Sequence, residues 1–269
     1  MNDHRSQFEA FSARRNSSLS QPNSPLALIA TEWVDSEKSV WAIPGRWGPR
    51  TDGGSGLVVT AALSDQLIVD GKKIDGNAVV MGPEEKKPSK VLFGKNITAE
   101  VIGANGSYAL RVWDSQSDAV RRFGHVDSFS YNPDWILRGV WEEMTGAKHD
   151  FDYLRPEGVR KEQEIPGQIS FDHGGKTYSV LAFRAGSALQ LVFADGTSGL
   201  TSYGVGRFLF IAPDPDGAIT LDFNYAILPP CAFSLAFNCP LPPAQNRFPF
   251  PIEAGEKNVL DFTGEPLHG

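Results

Sequence analysis

The chain has 269 residues, 41% hydrophobic and 21% charged, which is enough apolar material for one large or two small domains with real cores. A formal net charge of −7 at pH 7 excludes a protein that grips nucleic acid through a basic face. No run reaches the roughly 18–20 apolar residues of a membrane-spanning helix, and the first residues lack the apolar core of a signal peptide, so the cytoplasm is the expected compartment and no membrane partner is expected.

Residues 3–16 predict a short amphipathic helix, with Phe8 and Phe11 on one face and arginines beside them. Pro22 and Pro25 end it. From Leu26 onward the pattern turns to short apolar runs separated by Gly, Asp and Asn. The runs 26–34, 40–43, 57–63, 66–69, 77–81, 91–93, 98–102 and 108–113 predict strands, with 47–56 as a loop. Asp70-Gly71, Asp75-Gly76 and Asn105-Gly106 are tight-turn dipeptides. Short strands with this punctuation predict a small β-sandwich or an open barrel. Residues 117–123 predict a helical turn and 135–143 a strand. The charged stretch 148–164 reads as an exposed excursion. A second series of strands, 167–171, 176–183, 189–193, 207–211 and 219–223, has the spacing of an antiparallel meander.

The segment 219–257 holds both cysteines and seven of the 19 prolines in an apolar background. Proline fixes its backbone, and its Phe and Leu content requires a surface to fold against. The expected organisation is a helix and linker over 1–25, a sandwich-like part over 26–115, a barrel-like part over 116–258 wrapped by that Pro-rich tail, and a terminal tail over 259–269. The fold class is therefore all-β.

Specific residues carry a family resemblance. Tyr203-Gly204-Val205-Gly206-Arg207-Phe208-Leu209, Leu221-Asp222-Phe223-Asn224, Pro229-Pro230-Cys231-Ala232-Phe233, Cys239-Pro240-Leu241-Pro242-Pro243, Asn246-Arg247 and Ala254-Gly255-Glu256-Lys257 form a pattern. It resembles the uncharacterised family catalogued as domain of unknown function 1684. The Tyr131-Asn132-Pro133-Asp134-Trp135 patch and the N-terminal Phe/Arg helix fit it too. The resemblance implies an all-β protein of two abutting parts and no established activity. The chain departs from it at Leu228, where an Asn before Pro-Pro-Cys is expected. The early half also resembles a forkhead-associated sandwich at Ile68-Val69-Asp70-Gly71, without that domain's phosphate-reading Arg and Ser.

Two readings of the polar residues in the second half follow. Arg207, Asp222 and Asn224 fall at predicted strand ends, while Asn246, Arg247, Glu253, Glu256 and Lys257 lie in the tail. In one reading an arginine paired with a carboxylate pins the irregular tail to the sheet. In the other these groups line a pocket for a small polar or anionic ligand. There Arg207 and Arg247 hold an anion, Asn224 and Asn246 orient it, Tyr203 and Lys257 add contacts, and Asp222 or Glu256 handles a proton. Trp47, in a Pro- and Gly-rich stretch, is the candidate for an exposed stacking platform or a lid.

Cofactor and metal are not expected. Structural zinc needs tight Cys/His pairs, and the five histidines are scattered. Cys231 and Cys239 are free thiols, a disulfide or metal ligands, in that order of expectation; a catalytic cysteine would need a cation such as Arg207 or Arg247 nearby. Gly204-Val205-Gly206 enters a strand, so it reads as a bulge or close packing and not as a phosphate loop. Basic pairs such as Arg14-Arg15 read as solvated surface. The expected function is a small-molecule-binding protein or a cofactor-independent enzyme, with its site between the second sheet and the tail. The alternative is an interaction module whose sandwich docks a protein partner through an exposed apolar patch.

Overall fold

Gly, Asp and Asn punctuation cuts the chain into short strands, which can satisfy their backbone groups only by pairing with one another. They do so in antiparallel sheets, and the protein is mostly β. The computed structural model describes residues 2–104, 106–155, 162–214 and 217–268. The Asn105-Gly106 turn and parts of the 148–164 and 214–217 links lie outside them. The chain divides into two compact units, one of Ser18–Arg122 with Ser234–Phe237, the other of Met1–Ser17, Phe123–Phe233 and Asn238–Gly269.

The first of these units is a sandwich. One sheet has six strands in the order Leu28–Trp33, Ser107–Asp114, Ile97–Ala104, Val91–Phe93, Leu67–Val69 and Lys72–Lys73. The other has four, Lys38–Val40, Ile43–Pro49, Gly56–Ala61 and Gly76–Met81. Period-two alternation turns Leu57, Val59, Leu110 and Val112 into one shared core. The Asp70-Gly71 turn joins two paired strands as expected. Trp47 corrects the sequence reading. The stretch around it is a strand, in which Trp47 faces Lys38 on one side and Val59 on the other. Its ring is wholly buried, and its indole N–H donates to the Pro44 carbonyl at 3.1 Å. It is a core residue, not a platform or a lid.

The second unit is a half-barrel. Its sheet runs Arg207–Ile211, Ala188–Phe193, Lys176–Ala185, Glu162–His173, Ile136–Asp150 and Ala218–Asp222, with antiparallel neighbours throughout. The meander therefore bends round until its last strand lies beside its first. Residues 148–150 and 162–164 are exposed as expected at Lys148, Asp150, Glu162 and Glu164, but they are paired strand and not a turn-rich loop. Lys148 pairs with Glu164 and His149 with Gln163, so the long hairpin continues through charged residues. Its ladder, slipped between Glu143 and Ala147, overrides the composition. Phe171, Phe193, Phe223 and Phe248 fill the concave side, and Trp135 stacks on Phe250 at its edge.

The helix spans Asn2–Leu19, longer than its apolar spacing predicts. It is held by single contacts. Phe8 packs on Tyr131 and Tyr225, Phe11 packs on Tyr225, and Arg15 forms an ion pair with Glu256 at 2.9 Å. Arg15 is thus a structural residue and not solvated surface.

After Asp222 the chain is irregular until the strand Glu256–Asp261, which pairs with Phe123–Ser128. One device recurs along this stretch. Three asparagines each use both functions of the side-chain amide to pair with the N–H and the C=O of a single distant residue. Asn224 pairs with Asn132 at 2.8 and 2.9 Å. Asn238 pairs with Arg155 at 2.9 and 3.0 Å. Asn246 pairs with Leu181 at 2.8 and 2.9 Å, and donates again to Val192 at 3.0 Å. A primary amide presents the same donor–acceptor pair as a peptide, so each asparagine acts as a one-residue strand partner. Asn246→Ala leaves Leu181 and Val192 groups buried without partners. It is expected to lower stability by about 2–4 kcal/mol, and Asn246→Asp by more, because a carboxylate would face two carbonyls. Urea unfolding checks this; a loss below about 0.5 kcal/mol would show that the pairing is dispensable.

Candidate functional site

The half-barrel's first-rank polar residue is Arg207, at the start of the strand Arg207–Ile211. Gly206 delivers it there, with φ +102° and so close to Phe193 that a Cβ would stand 2.2 Å from the Phe193 carbonyl oxygen. The guanidinium is wholly buried. Its Nη2 donates to Asp195 Oδ2 at 2.5 Å and to the Ile252 carbonyl at 2.8 Å. Its Nη1 donates to the Ala254 and Glu256 carbonyls. Burial pushes its pKa down from the ordinary value, and the Asp195 carboxylate opposes that push. Asp195 is saturated in turn, since its Oδ1 accepts from the Thr197 N–H at 2.7 Å and the Thr197 hydroxyl at 2.6 Å. No anion reaches this arginine. Arg207 holds the tail, which is the structural one of the two sequence readings.

The other candidates are spent in the same way. Asn246 is buried in the peptide pairing described above. Arg247, next in the chain, is exposed, and its Nε donates to the Pro242 carbonyl at 3.1 Å. Asp222 Oδ1 accepts from the Asn224 backbone N–H at 3.0 Å and from its side chain at 2.8 Å, which orients the Asn224 amide towards Asn132. Glu256 is buried, accepting from Arg15 at 2.9 Å and from the Leu228 N–H at 2.7 Å. Burial pushes its carboxyl above the usual range against the pull of Arg15, Leu228 and Arg207. Neither Asp222 nor Glu256 is placed for proton transfer to a ligand. Tyr203 is half-buried and hydrogen-bonded to the Cys231 thiol, and burial pushes its phenol well up. Lys257 pairs with Asp127 at 2.7 Å. These residues do not converge on one cavity, and the correction has one cause: each polar group that the fold buries needs a partner, and the sheet, the tail, the Asn132 turn and the helix supply them.

Several of them do converge on Phe129. Arg207 and Lys257 lie over its ring, at 5.7 and 5.3 Å from the centroid. Its N–H donates to the Gly255 carbonyl at 2.9 Å. Gly255 has φ +80° and sits so tightly on the Phe223 and Ala226 carbonyls that any Cβ would collide with them. The residues after Phe129 form a depression of about 400 Å³, lined by Phe129, Ser130, Tyr131, Asn132 and Glu253. Asn224 fixes its Asn132 wall through both backbone groups, and Phe8 backs Tyr131 at 5.8 Å. Glu253 is exposed and is the one charged residue in the lining. The sequence reading named Glu253 and the Tyr131–Asn132 patch but passed over Phe129 and Ser130. The signal for them was the Asn132-Pro133 step, where a capping asparagine and a proline end pairing and leave a short backbone stretch uncovered.

Arg207→Met leaves Asp195 charged, buried and unpaired. It is expected to cost about 3–5 kcal/mol in denaturant unfolding, and adding Asp195→Asn is expected to recover part of the loss; additive losses would show that the two do not act as a pair. For Glu256 the folded state holds the proton more tightly than the unfolded state, whose pKa is near 4.5. That contribution is fully present below the unfolded value and is lost as pH rises through the folded one. The stability of the parent protein is therefore expected to fall more steeply above pH 4.5 than that of Glu256→Gln; parallel pH–stability curves for the two proteins would contradict it.

No curated protein matches the chain. It is similar to an uncharacterised protein of Haloarcula marismortui solved in solution by NMR, at 32% identity over 50% of this chain and 77% of that one, with a TM-score of 0.42. No helix among the described residues is long and apolar enough to cross a membrane. Residues 121–257, half of the chain, match the family described as "Protein of unknown function (DUF1684)", and the chain belongs to that family.

Proposed function

We propose that this is a small-molecule-binding protein whose site is the depression formed by Phe129, Ser130, Tyr131, Asn132 and Glu253. The observation that carries this reading is the lining itself. Two aromatic rings and one carboxylate border a volume of about 400 Å³, within the range of small-ligand sites. Of the anion-binding residues expected from the sequence, Arg207 is consumed by the fold and Arg247, though exposed, does not line the depression; what faces it is an acceptor. A ligand with a cationic or donor-rich head group suits it, with the head on Glu253 and the body against Tyr131 and Phe129. The pinned Asn132 wall lowers the cost of ordering the site.

The docking alternative has less support. The exposed large apolar residues of the sandwich unit, among those described, are Trp41, Leu63, Val79, Met81, Leu92 and Leu235. They are spread over three turns and two strands, which gives a partner little to grip.

Thermal-shift titration with primary amines, polyamines and quaternary ammonium compounds, alongside size-matched carboxylates, tests the reading. At least one cation class is expected to raise the melting temperature of the parent protein. Glu253→Gln, at an exposed position, is expected to melt like the parent and to bind that class at least tenfold more weakly, about 1.4 kcal/mol. Equal binding by the two proteins, or preference for the carboxylates, would overturn it.

A further inference from the structure

Outside the depression, the half-barrel brings together two nucleophilic side chains that the binding reading does not use. Cys231 lies in the turn Pro230–Ala232 and Cys239 just ahead of Pro240. Neither is in a disulfide, and both are buried. They are in direct contact: the Cys231 backbone N–H donates to Cys239 Sγ at 3.3 Å, and the two thiols hydrogen-bond to each other. The flanking chain is fixed on both sides. Prolines precede Cys231 and follow Cys239, the Cys239 carbonyl accepts from the Leu154 N–H at 3.0 Å, and Asn238 is locked to Arg155. The Tyr203 hydroxyl donates to Cys231 Sγ. Tyr203 itself is held by its backbone N–H on the Lys257 carbonyl at 2.8 Å.

We propose that Cys231 and Cys239 form a redox-active dithiol that a small hydroperoxide converts to an intramolecular disulfide. Cys239 Sγ lies 3.3 Å from the Cys231 backbone nitrogen and the two thiols are hydrogen-bond partners, so oxidation has to close a contact between neighbours to disulfide length, about 2.05 Å. Cys231 is the attacking sulfur. The hydrogen bonds from Cys239 and Tyr203 and the charge of Arg155 favour its thiolate, and together they outweigh the burial that disfavours it.

The chemistry balances without a cofactor. The Cys231 thiolate attacks one oxygen of hydrogen peroxide, the O–O bond breaks, and the departing hydroxide takes up the proton that Cys231 lost on ionising and leaves as water, which gives a sulfenic acid. The Cys239 sulfur attacks that sulfur, the S–O bond breaks, and a second water leaves with the Cys239 proton. Two thiols lose two electrons, and the peroxide gains them. Burial selects the oxidant. Hydrogen peroxide is close to water in size and enters on a small local opening, whereas a peptide disulfide has no approach to a sulfur at 1% exposure.

Exposure of the purified full chain to hydrogen peroxide and to oxidised glutathione tests this, with intact mass, thiol counting and non-reducing electrophoresis as readouts. Hydrogen peroxide is expected to lower the mass by about 2 Da, remove both thiols, leave a monomer-sized band and be reversed by dithiothreitol. Oxidised glutathione is expected to react at least tenfold more slowly. Cys239→Ser is expected to stop at a dimedone-reactive sulfenic acid on Cys231. Tyr203→Phe is expected to slow disulfide formation about tenfold, the effect of a one-unit change in thiolate population. The variants' circular dichroism and melting are compared with the parent's, so that an unfolded protein is recognised. Persistence of both thiols under peroxide in the folded protein, oxidation straight to sulfonic acid, or disulfides only between chains would overturn the proposal.

Discussion

Burying one guanidinium constrains the half-barrel more than any other single interaction. Arg207 has five N–H donors and no acceptor, and it gives up its hydration entirely. Such a group is tolerated only where acceptors surround it, and a regular sheet has none to spare because its carbonyls are already paired. The acceptors come from the Ile252, Ala254 and Glu256 carbonyls and from Asp195. Three alternate residues of the tail must therefore turn their carbonyls inwards. That requirement sets the path of the segment, places Gly255 between two of the carbonyls, and puts Glu256 where Arg15 reaches it.

A tail whose carbonyls serve an arginine has no ladder for its own N–H groups. Proline removes part of that demand, because it has no N–H to satisfy. The seven prolines of 219–257 thus answer a hydrogen-bonding problem as well as a conformational one. Asparagine answers the rest. At Asn224, Asn238 and Asn246 a side-chain amide supplies the peptide-like pairing that the irregular backbone cannot provide. Each sits where the tail must be registered against a fixed strand or loop. The family signature is largely a record of these constraints: glycine for close approach, proline where no donor is wanted, asparagine where a peptide must be imitated.

This explains which parts of the protein were legible in its sequence. Strands were visible because alternation and turn dipeptides report local structure, as around Leu57–Val59 and Asp70-Gly71. The continuation of the hairpin through Lys148 and Glu164 was not visible, since cross-strand pairing outweighed a charged composition. Trp47 was misplaced because Pro44, Gly45 and Pro49 look like loop residues, while the strand they flank is defined by neighbours far along the chain. The polar residues were read as one ligand-facing cluster, and most of them are spent on the fold. Sequence shows that Arg207, Asn246 and Glu256 lie in apolar surroundings; only geometry shows that Asp195 and the Ile252 and Ala254 carbonyls hold the first, Leu181 and Val192 the second, and Arg15 and the Leu228 N–H the third. A buried polar residue and a ligand-binding one have the same sequence signature, and they differ in whether a partner is already in place.

That difference directs attention to what the fold leaves unspent. A buried, ion-paired group such as Arg207 cannot serve a ligand without breaking bonds that hold the tail, and the loss would exceed what a small ligand returns. Glu253 is free of that conflict. It follows the arginine-bound Ile252 and precedes the arginine-bound Ala254, so its backbone is among the most fixed in the tail while its side chain points the other way, into solvent. The alternation that aims carbonyls at Arg207 aims this carboxylate at the depression. A rigid backbone that presents a solvent-facing acceptor beside two aromatic rings is what the proposed site requires, and it would arise here as a by-product of burying a charge on the opposite side of the same segment.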